Sequence, residues 1–127
     1  MQRSLALQYI RANYRNYEWR AIVFFADDDN TYDIRLFDKY IRKVRKIGVW
    51  AVGLVGGAQV EAPRVVKGKV VGWDVVYMPK RKFAIDMAGF AIDLSEILRS
   101  NATMSEACLK QPLETCFLSQ LGIPKEQ

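Results

Sequence analysis

The sequence contains no histidine, only two cysteines and no long hydrophobic run. Without histidine, this chain cannot form a histidine-ligated metal site, a Ser-His-Asp triad or a Cys-His dyad. Cys108 and Cys116 are too few for a zinc cluster or a disulfide scaffold, although they could form one bridge in an oxidising compartment. The longest apolar stretches have about ten residues, whereas a membrane helix needs about 20, so we expect neither a membrane segment nor a signal peptide here.

Length and charge predict one small, basic globular domain or part of one. The chain has 127 residues, of which 50% are hydrophobic and 26% are charged, so it has enough apolar side chains for a core. Its 19 basic and 14 acidic residues give a net charge of +5. That charge fits an anionic partner such as a nucleic acid, a phosphate or an acidic glycan, without choosing among them.

Apolar periodicity predicts alternating helices and strands. The pattern over residues 31–46 is that of an amphipathic helix, with Asn30 as its N-cap. Because this helix lies between two predicted strands, the order predicts a parallel α/β sheet, followed by a β-rich excursion. The other predicted elements are a helix within 1–20, strands at 21–26, 48–55 and 69–77, a strand passing into a helix over 83–98, and a helix at 114–121.

Asp27, Asp28 and Asp29 lie between a predicted strand and a predicted helix, where open α/β sheets bind ligands. In an extended segment, Asp27 and Asp29 would project to one side and Asp28 to the other. One carboxylate could then bind Mg²⁺ or Mn²⁺ while a neighbour binds a hydroxyl. An acidic turn that only caps the next helix is the alternative, and the local pattern alone favours it.

Several motifs, taken in order, resemble the animal β-1,3-glucuronosyltransferase family over nearly the whole chain. The resemblance implies an α/β fold of glycosyltransferase A type, also called the nucleotide-diphospho-sugar transferase fold. The motifs are FFADDDNTY at residues 24–32, VGLVGG at 52–57, EAPRV at 61–65, GKVVGW at 68–73 and FAIDMAGFA at 83–91.

The family's activity supplies the functional expectation. The resemblance implies an inverting transfer of glucuronic acid from UDP-glucuronate to the 3-hydroxyl of a terminal galactose, with Mn²⁺ as cofactor. It places the end of the donor-binding part at residues 1–33 and the acceptor-binding part at about residues 48–127. We therefore expect a nucleotide sugar and a galactose-terminated glycan as partners, and no nucleic acid.

The resemblance also assigns donor-side residues. Asp29 resembles the metal-binding aspartate, Asp28 the neighbour that binds the ribose, and Asp27 a supporting residue. A cation at this position would neutralise the diphosphate as UDP departs, so no protein acid would be needed. Arg3 resembles a donor-side arginine in the opening helix, for which a lone surface arginine is the competing interpretation.

On the acceptor side, Glu61, Arg81 and Asp86 resemble the residues that hydrogen-bond the galactose hydroxyls. Glu114, in the motif PLET, resembles the base that deprotonates the galactose 3-hydroxyl. Three of these four residues also have an ordinary interpretation. Arg81 belongs to an exposed basic run, Asp86 could be a buried strand-end carboxylate, and Glu114 could be a helix-start carboxylate favoured by the helix dipole.

Further expectations concern the cell and the rest of the family domain. Family members are Golgi enzymes with an amino-terminal membrane anchor, and they form homodimers, so we expect a Golgi-lumen location and a homodimer. We expect the uridine-binding strands and the anchor before Met1, and a segment with a donor-binding histidine beyond Gln127, so that the fold is truncated at both ends. Asn101 begins an Asn-Ala-Thr sequence that fits an N-glycosylation acceptor.

Three other interpretations stay open. A related inverting transferase could use another nucleotide sugar, which a panel of donors would reveal. A non-catalytic fragment or isoform could pair with a full-length subunit, and it would aggregate or melt early when expressed alone. A basic module using the charged face of residues 35–46 would bind oligonucleotides in a salt-sensitive way.

Overall fold

Two antiparallel sheets organise the chain, which the computed structural model describes over residues 2–123. The helices are α1 (Gln2–Asn13), α2 (Arg35–Lys39), α3 (Leu94–Arg99) and α4 (Leu113–Gln120), with short 3₁₀ turns at Ile41–Lys43, Met87–Gly89 and Glu106–Cys108. The strands are β1 (Ile22–Phe24), β2 (Ile47–Val49), β3 (Val52–Val55), β4 (Ala58–Val66), β5 (Lys69–Asp74) and β6 (Phe90–Asp93).

The first sheet has the order β1-β6-β2, and both outer strands run antiparallel to β6. The predicted parallel sheet is therefore wrong in its pairing. The strands β1 and β2 do run in the same direction, as strand-helix-strand order predicts, but β6 lies between them. A strand that arrives from about 40 residues later in the chain cannot be placed by the local order of elements.

The second sheet is a meander of β3, β4 and β5 joined by tight hairpins. Gly56 and Gly57 form the first turn, with φ of +58° and +80°. These positive values are those of a two-residue hairpin turn whose twist matches the strands it joins. The sequence prediction missed β4 because Pro63 and the glycine pair were interpreted as a loop.

Other predicted elements meet the structure with varying success. The helix in residues 1–20 and the last helix are confirmed as α1 and α4, and the strand passing into a helix over 83–98 is confirmed only from residue 90, as β6 with α3. The long helix over 31–46 is wrong, because α2 covers only Arg35–Lys39, and the backbone of Tyr40 (φ −123°, ψ −65°) is not helical. Asn30 does not cap α2, whose N-cap is Ile34.

The core lies around β6, all of whose residues are buried. Phe90 and Ile92 pack in the larger apolar cluster with Phe117 and Leu118 of α4 and with Leu7 of α1. The neighbouring Ala91 points into a smaller cluster with Ile41, Val44 and Trp50. Through its two faces, β6 therefore connects the larger and the smaller apolar cluster. Within residues 2–123, no helix is both long enough and apolar enough to cross a membrane.

Candidate functional site

Glu61 is a buried carboxylate at the centre of β4. Its side chain is only 5% exposed, and its Oε1 atom has no hydrogen-bond partner among the described residues. Burial raises the pKa of this carboxyl, and nearby Asp86 raises it further, whereas Arg81 and the backbone N–H groups of Val76 and Tyr77 oppose the shift. A buried oxygen without a partner is costly, so Oε1 is a hydrogen-bond acceptor that the fold leaves unused.

Asp86 and Arg81 are fixed by the backbone around them. One carboxylate oxygen of Asp86 accepts a hydrogen bond of 2.9 Å from the N–H of Ala88 and caps the 3₁₀ turn that leads into β6. The Arg81 guanidinium donates to the carbonyls of Met78 and Tyr77 at 3.2 and 3.0 Å, and lies 5.2 Å from the centre of the Tyr77 ring. Both side chains are thus oriented before any ligand is present.

Glu114 lies in the first turn of α4 and is partly buried. Burial raises the pKa of its carboxyl, and Asp86 adds to the shift, while a backbone hydrogen bond, Arg81 and Arg3 lower it. These electrostatic interactions bring Glu114 into one site with Asp86 and Arg81, and they connect that site to Arg3 on α1. A carboxyl whose pKa is moved towards neutrality is better suited to general base catalysis than an exposed one.

Arg3 and Asp27 form an ion pair between α1 and the segment that follows β1. Together with Asp28 and Leu113 they line a cleft of about 460 Å³. Because Leu113 immediately precedes Glu114, the acidic segment and the start of α4 border the same cleft. The Tyr32 hydroxyl supports the segment, since it receives the Asp27 N–H at 2.7 Å and donates to the Asp27 carbonyl at 3.0 Å.

Asp29 lies apart from its two neighbours. It lines a different cleft, of about 550 Å³, together with residues of β3 and with Trp50. The predicted alternation, with Asp27 and Asp29 on one side, is wrong, because residues 28 and 29 form a turn rather than an extended segment. Asp28 and Asp29 are both exposed, so their carboxylates can reach a ligand that bridges the two clefts.

The carboxylates at this turn are of the kind that could hold a hard divalent cation. Within residues 2–123, no group of three or more His, Cys, Asp or Glu side chains could hold a metal ion by itself. Hard divalent ions are commonly held by one or two carboxylates, with water and substrate phosphates completing the coordination. The exposed oxygens of Asp29 and Asp28 fit that type of site, in which a nucleotide diphosphate supplies the remaining ligands.

Two further sequence features have defined positions. Cys108 and Cys116 form a disulfide, with Cα atoms 5.5 Å apart. This settles a pairing that the sequence left open. Asn101 is exposed in the loop after α3, where the Arg11 guanidinium holds the carbonyls of residues 97, 100 and 102.

Sequence reasoning missed Gly56 as a residue of the site. A Cβ atom at Gly56 would collide with the Glu61 carboxylate, so only glycine leaves room for that side chain in its present position. The signal was present, since a Gly-Gly pair between apolar stretches is typical of a hairpin turn. Such a turn would have placed Glu61 opposite Val52 on the paired strand.

Comparison with known proteins gives consistent matches. The model of the family described as "Glycosyltransferase family 43" matches residues 1–127. The chain is 54% identical over 101 residues to galactosylgalactosylxylosylprotein 3-beta-glucuronosyltransferase 1 of Homo sapiens, a match covering 78% of this chain and 30% of the relative. The Rattus norvegicus relative of the same name has the same identity and coverage.

A second type of relative matches over more of the chain. Galactosylgalactosylxylosylprotein 3-beta-glucuronosyltransferase 2 of Homo sapiens is 43% identical over 128 aligned positions, covering 98% of this chain and 39% of the relative. The chain therefore spans only 30% to 39% of the length of these curated relatives.

Proposed function

This chain belongs to glycosyltransferase family 43, and we propose that it forms the acceptor and metal-binding part of an inverting glucuronosyltransferase. The donor is UDP-glucuronate, and the acceptor is the 3-hydroxyl of a terminal galactose. One observation carries the proposal. The partly buried Glu114 interacts electrostatically with Asp86, Arg81 and Arg3, so a base candidate lies within reach of charges from both proposed parts of the site.

On the acceptor side, Glu61, Asp86 and Arg81 hold the terminal galactose. Each sugar hydroxyl both donates and accepts hydrogen bonds, so two carboxylates and a guanidinium can bind several hydroxyls with one orientation. The unpartnered Oε1 of Glu61 supports this role, because a galactose hydroxyl would satisfy it. Orienting the 3-hydroxyl towards Glu114 converts a bimolecular encounter into a positioned reaction.

Glu114 then accepts the proton of the 3-hydroxyl as its oxygen attacks the anomeric carbon, opposite to the bond that UDP leaves. The displacement is single, so the anomeric configuration inverts. Ionised Glu114 is the active form, so turnover rises with pH through the raised pKa of this carboxyl.

On the donor side, Asp27, Asp28 and Arg3 bind the nucleotide half of the donor, and Asp29 is the protein ligand of Mn²⁺. The exposed carboxylates of Asp28 and Asp29 support this assignment. When bound, the ion supplies neutralisation of the charge that develops on the diphosphate. Residues 1–33 are then the end of the donor part and residues from about 48 onwards the acceptor part of a glycosyltransferase A-type fold.

A Golgi-lumen location is part of the same proposal. The Cys108–Cys116 disulfide supports an oxidising compartment, and the exposed Asn101 is accessible to N-glycosylation. Treatment of the secreted protein with a glycosidase specific for N-linked glycans should remove one glycan, and Asn101→Gln should abolish that mass shift. The membrane anchor and the homodimer stay predictions.

The test is calorimetric titration of the intact protein with UDP, with and without Mn²⁺. We expect the ion to strengthen UDP binding and Asp29→Ala to return the affinity to its ion-free value. Turnover of the variant should fall about 100-fold or more, since such an ion contributes several kcal/mol to transition-state stabilisation. The matched control is Asp38→Ala, an exposed carboxylate of α2 that pairs only with Arg42 among the described residues.

A donor panel completes the test. UDP-glucuronate should be transferred to a galactoside in preference to UDP-glucose and UDP-N-acetylglucosamine. Preference for another donor would identify a related transferase. Failure of a folded protein to bind UDP or to transfer any of these sugars would overturn the proposal and favour a non-catalytic member of the family.

A further inference from the structure

The disulfide Cys108–Cys116 closes a short loop around the proposed base. The two cysteines are separated by eight positions, and Glu114 lies inside the loop, two residues before Cys116 on the same helical turn. We propose that Cys108 and Cys116 are positioning residues for the Glu114 carboxyl. This inference rests on the proposed function, because it concerns the same base.

The start of α4 packs through Leu113 against the larger apolar cluster but has few polar contacts. Its N-cap residue, Pro112, provides no side-chain hydrogen bond to the first turn. The helix has eight residues, and helices of that length are unstable in isolation, so contacts outside the helix must maintain it. The Thr115 hydroxyl gives one such contact, a bond of 2.8 Å to the Phe83 carbonyl. The disulfide is the covalent contact at the same turn.

Cys108, the other cysteine of the disulfide, is connected to the rest of the site. Cys108 is buried, and the segment before it is bound to α1, because the Ser4 hydroxyl donates to the Met104 carbonyl at 2.8 Å. Ser4 is adjacent to Arg3, which interacts with Glu114 and pairs with Asp27. The disulfide therefore joins the helix that carries Glu114 to the helix that carries Arg3, through residues 104–108.

The position of the Glu114 carboxyl affects its ionisation, because charges of both signs lie near it. Asp86 repels the ionised carboxyl, whereas Arg81 and Arg3 attract it, and burial opposes its ionisation most strongly. A displacement of about 1 Å in a positioned reaction can cost about 100-fold in rate. If the loop opened, water would reach the carboxyl and its position relative to the acceptor would vary.

The experiment compares the intact protein with the double variant Cys108→Ser/Cys116→Ser. We expect kcat to fall about 10- to 100-fold, with the acceptor KM changed less than about threefold. The acid limb of the kcat profile should move to lower pH, because a more hydrated Glu114 carboxyl has a pKa closer to its ordinary value. Loss of stability alone would not move that limb.

The matched control is Ile41→Ala, which removes buried side-chain volume from the smaller apolar cluster away from α4. It should lower the melting temperature while leaving the pH profile and kcat unchanged. A double cysteine variant that behaves like this control would overturn the proposal. If the serine pair does not fold, Cys108→Ala/Cys116→Val keeps apolar side chains at the two buried positions and tests the same prediction.

Hydrogen exchange separates this inference from the proposed function. Without the disulfide, the amides of residues 116–118, which donate the first backbone hydrogen bonds of α4, should exchange about tenfold faster or more, while those of β6 stay protected. If the wild-type protein shows no transferase activity, the proposed function fails, yet the exchange rates still decide whether the disulfide holds the turn that carries Glu114. Unchanged exchange at residues 116–118 would overturn the inference.

Discussion

The two sides of the candidate site differ in how the fold supports them. Glu61 and Glu114 are built on a strand and a helix, and burial is the largest cause of the raised pKa at each carboxyl. Asp28 and Asp29 lie in an exposed turn. The comparison shows that folding itself organises the proposed acceptor side, although burying its carboxylates costs free energy. On the proposed donor side, a ligand and a metal ion would complete the organisation of the exposed turn.

The largest expected effect follows from removing the basicity of the proposed base, Glu114. Glu114→Gln keeps the size and the hydrogen-bonding shape of the side chain but removes its basicity, so kcat should fall about 10²- to 10⁴-fold with little change in KM. The melting temperature at neutral pH should rise slightly, because a partly buried charge is removed. Steady-state kinetics and thermal unfolding would measure the two effects.

The control for this prediction is Glu106→Gln, which changes an exposed glutamate eight positions earlier. Its kcat should match that of the wild-type protein. If Glu114→Gln also kept its kcat, the base would have to be another group, and the electrostatic interactions at Glu114 would serve structure only.

A second prediction concerns the turn between β3 and β4, where two neighbouring glycines differ in their distance from Glu61. Gly56→Ala and Gly57→Ala both place a side chain at positive φ, which costs about 1 kcal/mol at each position. Only the Cβ atom at Gly56 would collide with Glu61, since nothing lies within 4 Å of one at Gly57. Gly56→Ala should therefore also raise the acceptor KM about tenfold, by displacing the Glu61 carboxylate.

Gly57→Ala is the matched control, because it has the same backbone strain without the collision. The acceptor KM of this variant should stay at the wild-type value. Equal KM values for the two alanine variants would show that Glu61 can move without loss of acceptor binding, which would contradict its proposed role.

A third prediction concerns pH and stability. The raised pKa of Glu61 means that the folded protein holds this proton at a pH where the unfolded chain has lost it. The resulting stability is present below the ordinary pKa of glutamate and is lost as pH rises through the folded value. Glu61→Gln should therefore gain stability relative to the wild-type protein as pH rises above the ordinary pKa of glutamate, as urea unfolding would measure. If the difference in unfolding free energy between Glu61→Gln and the wild-type protein stayed constant as pH rose, the prediction would be wrong.

The sequence predicted the elements whose patterns were local and strong. Residues 83–98 and 114–121 show clear periodicity, and the structure has β6 with α3 and α4 at these positions. The sequence could not predict that β6 separates β1 from β2, because strand pairing over long separations is decided by packing rather than by local pattern. The strand β4 was missed because Pro63 cannot donate to a ladder and is unusual within a sheet.

The candidate site shows the same division between local and long-range information. The resemblance named Glu61, Arg81, Asp86 and Glu114, whose sequence positions extend over more than 50 residues, and the structure brings their charges together. It could not show that Asp29 lines a different cleft from Asp27 and Asp28, because that depends on the turn at residues 28 and 29. Neither the burial of Glu61 nor the close approach of Gly56 follows from residue type alone.

The smallest expected effect concerns the Arg3–Asp27 ion pair. It tests whether exposure to water makes this pair weaker than an ion pair with a buried carboxylate. Arg3 pairs with Asp27 while both side chains keep contact with water, at 39% and 29% exposure, so Arg3→Gln should cost less than about 1 kcal/mol of stability. Arg99 pairs with Glu96, whose side chain is only 6% exposed, and Arg99→Gln should cost about 1 to 3 kcal/mol because it leaves a buried carboxylate without its cation. Urea unfolding of both variants gives the comparison. Equal costs would show that the Arg3–Asp27 pair is part of the folded framework, and that the donor side is organised before its ligand binds.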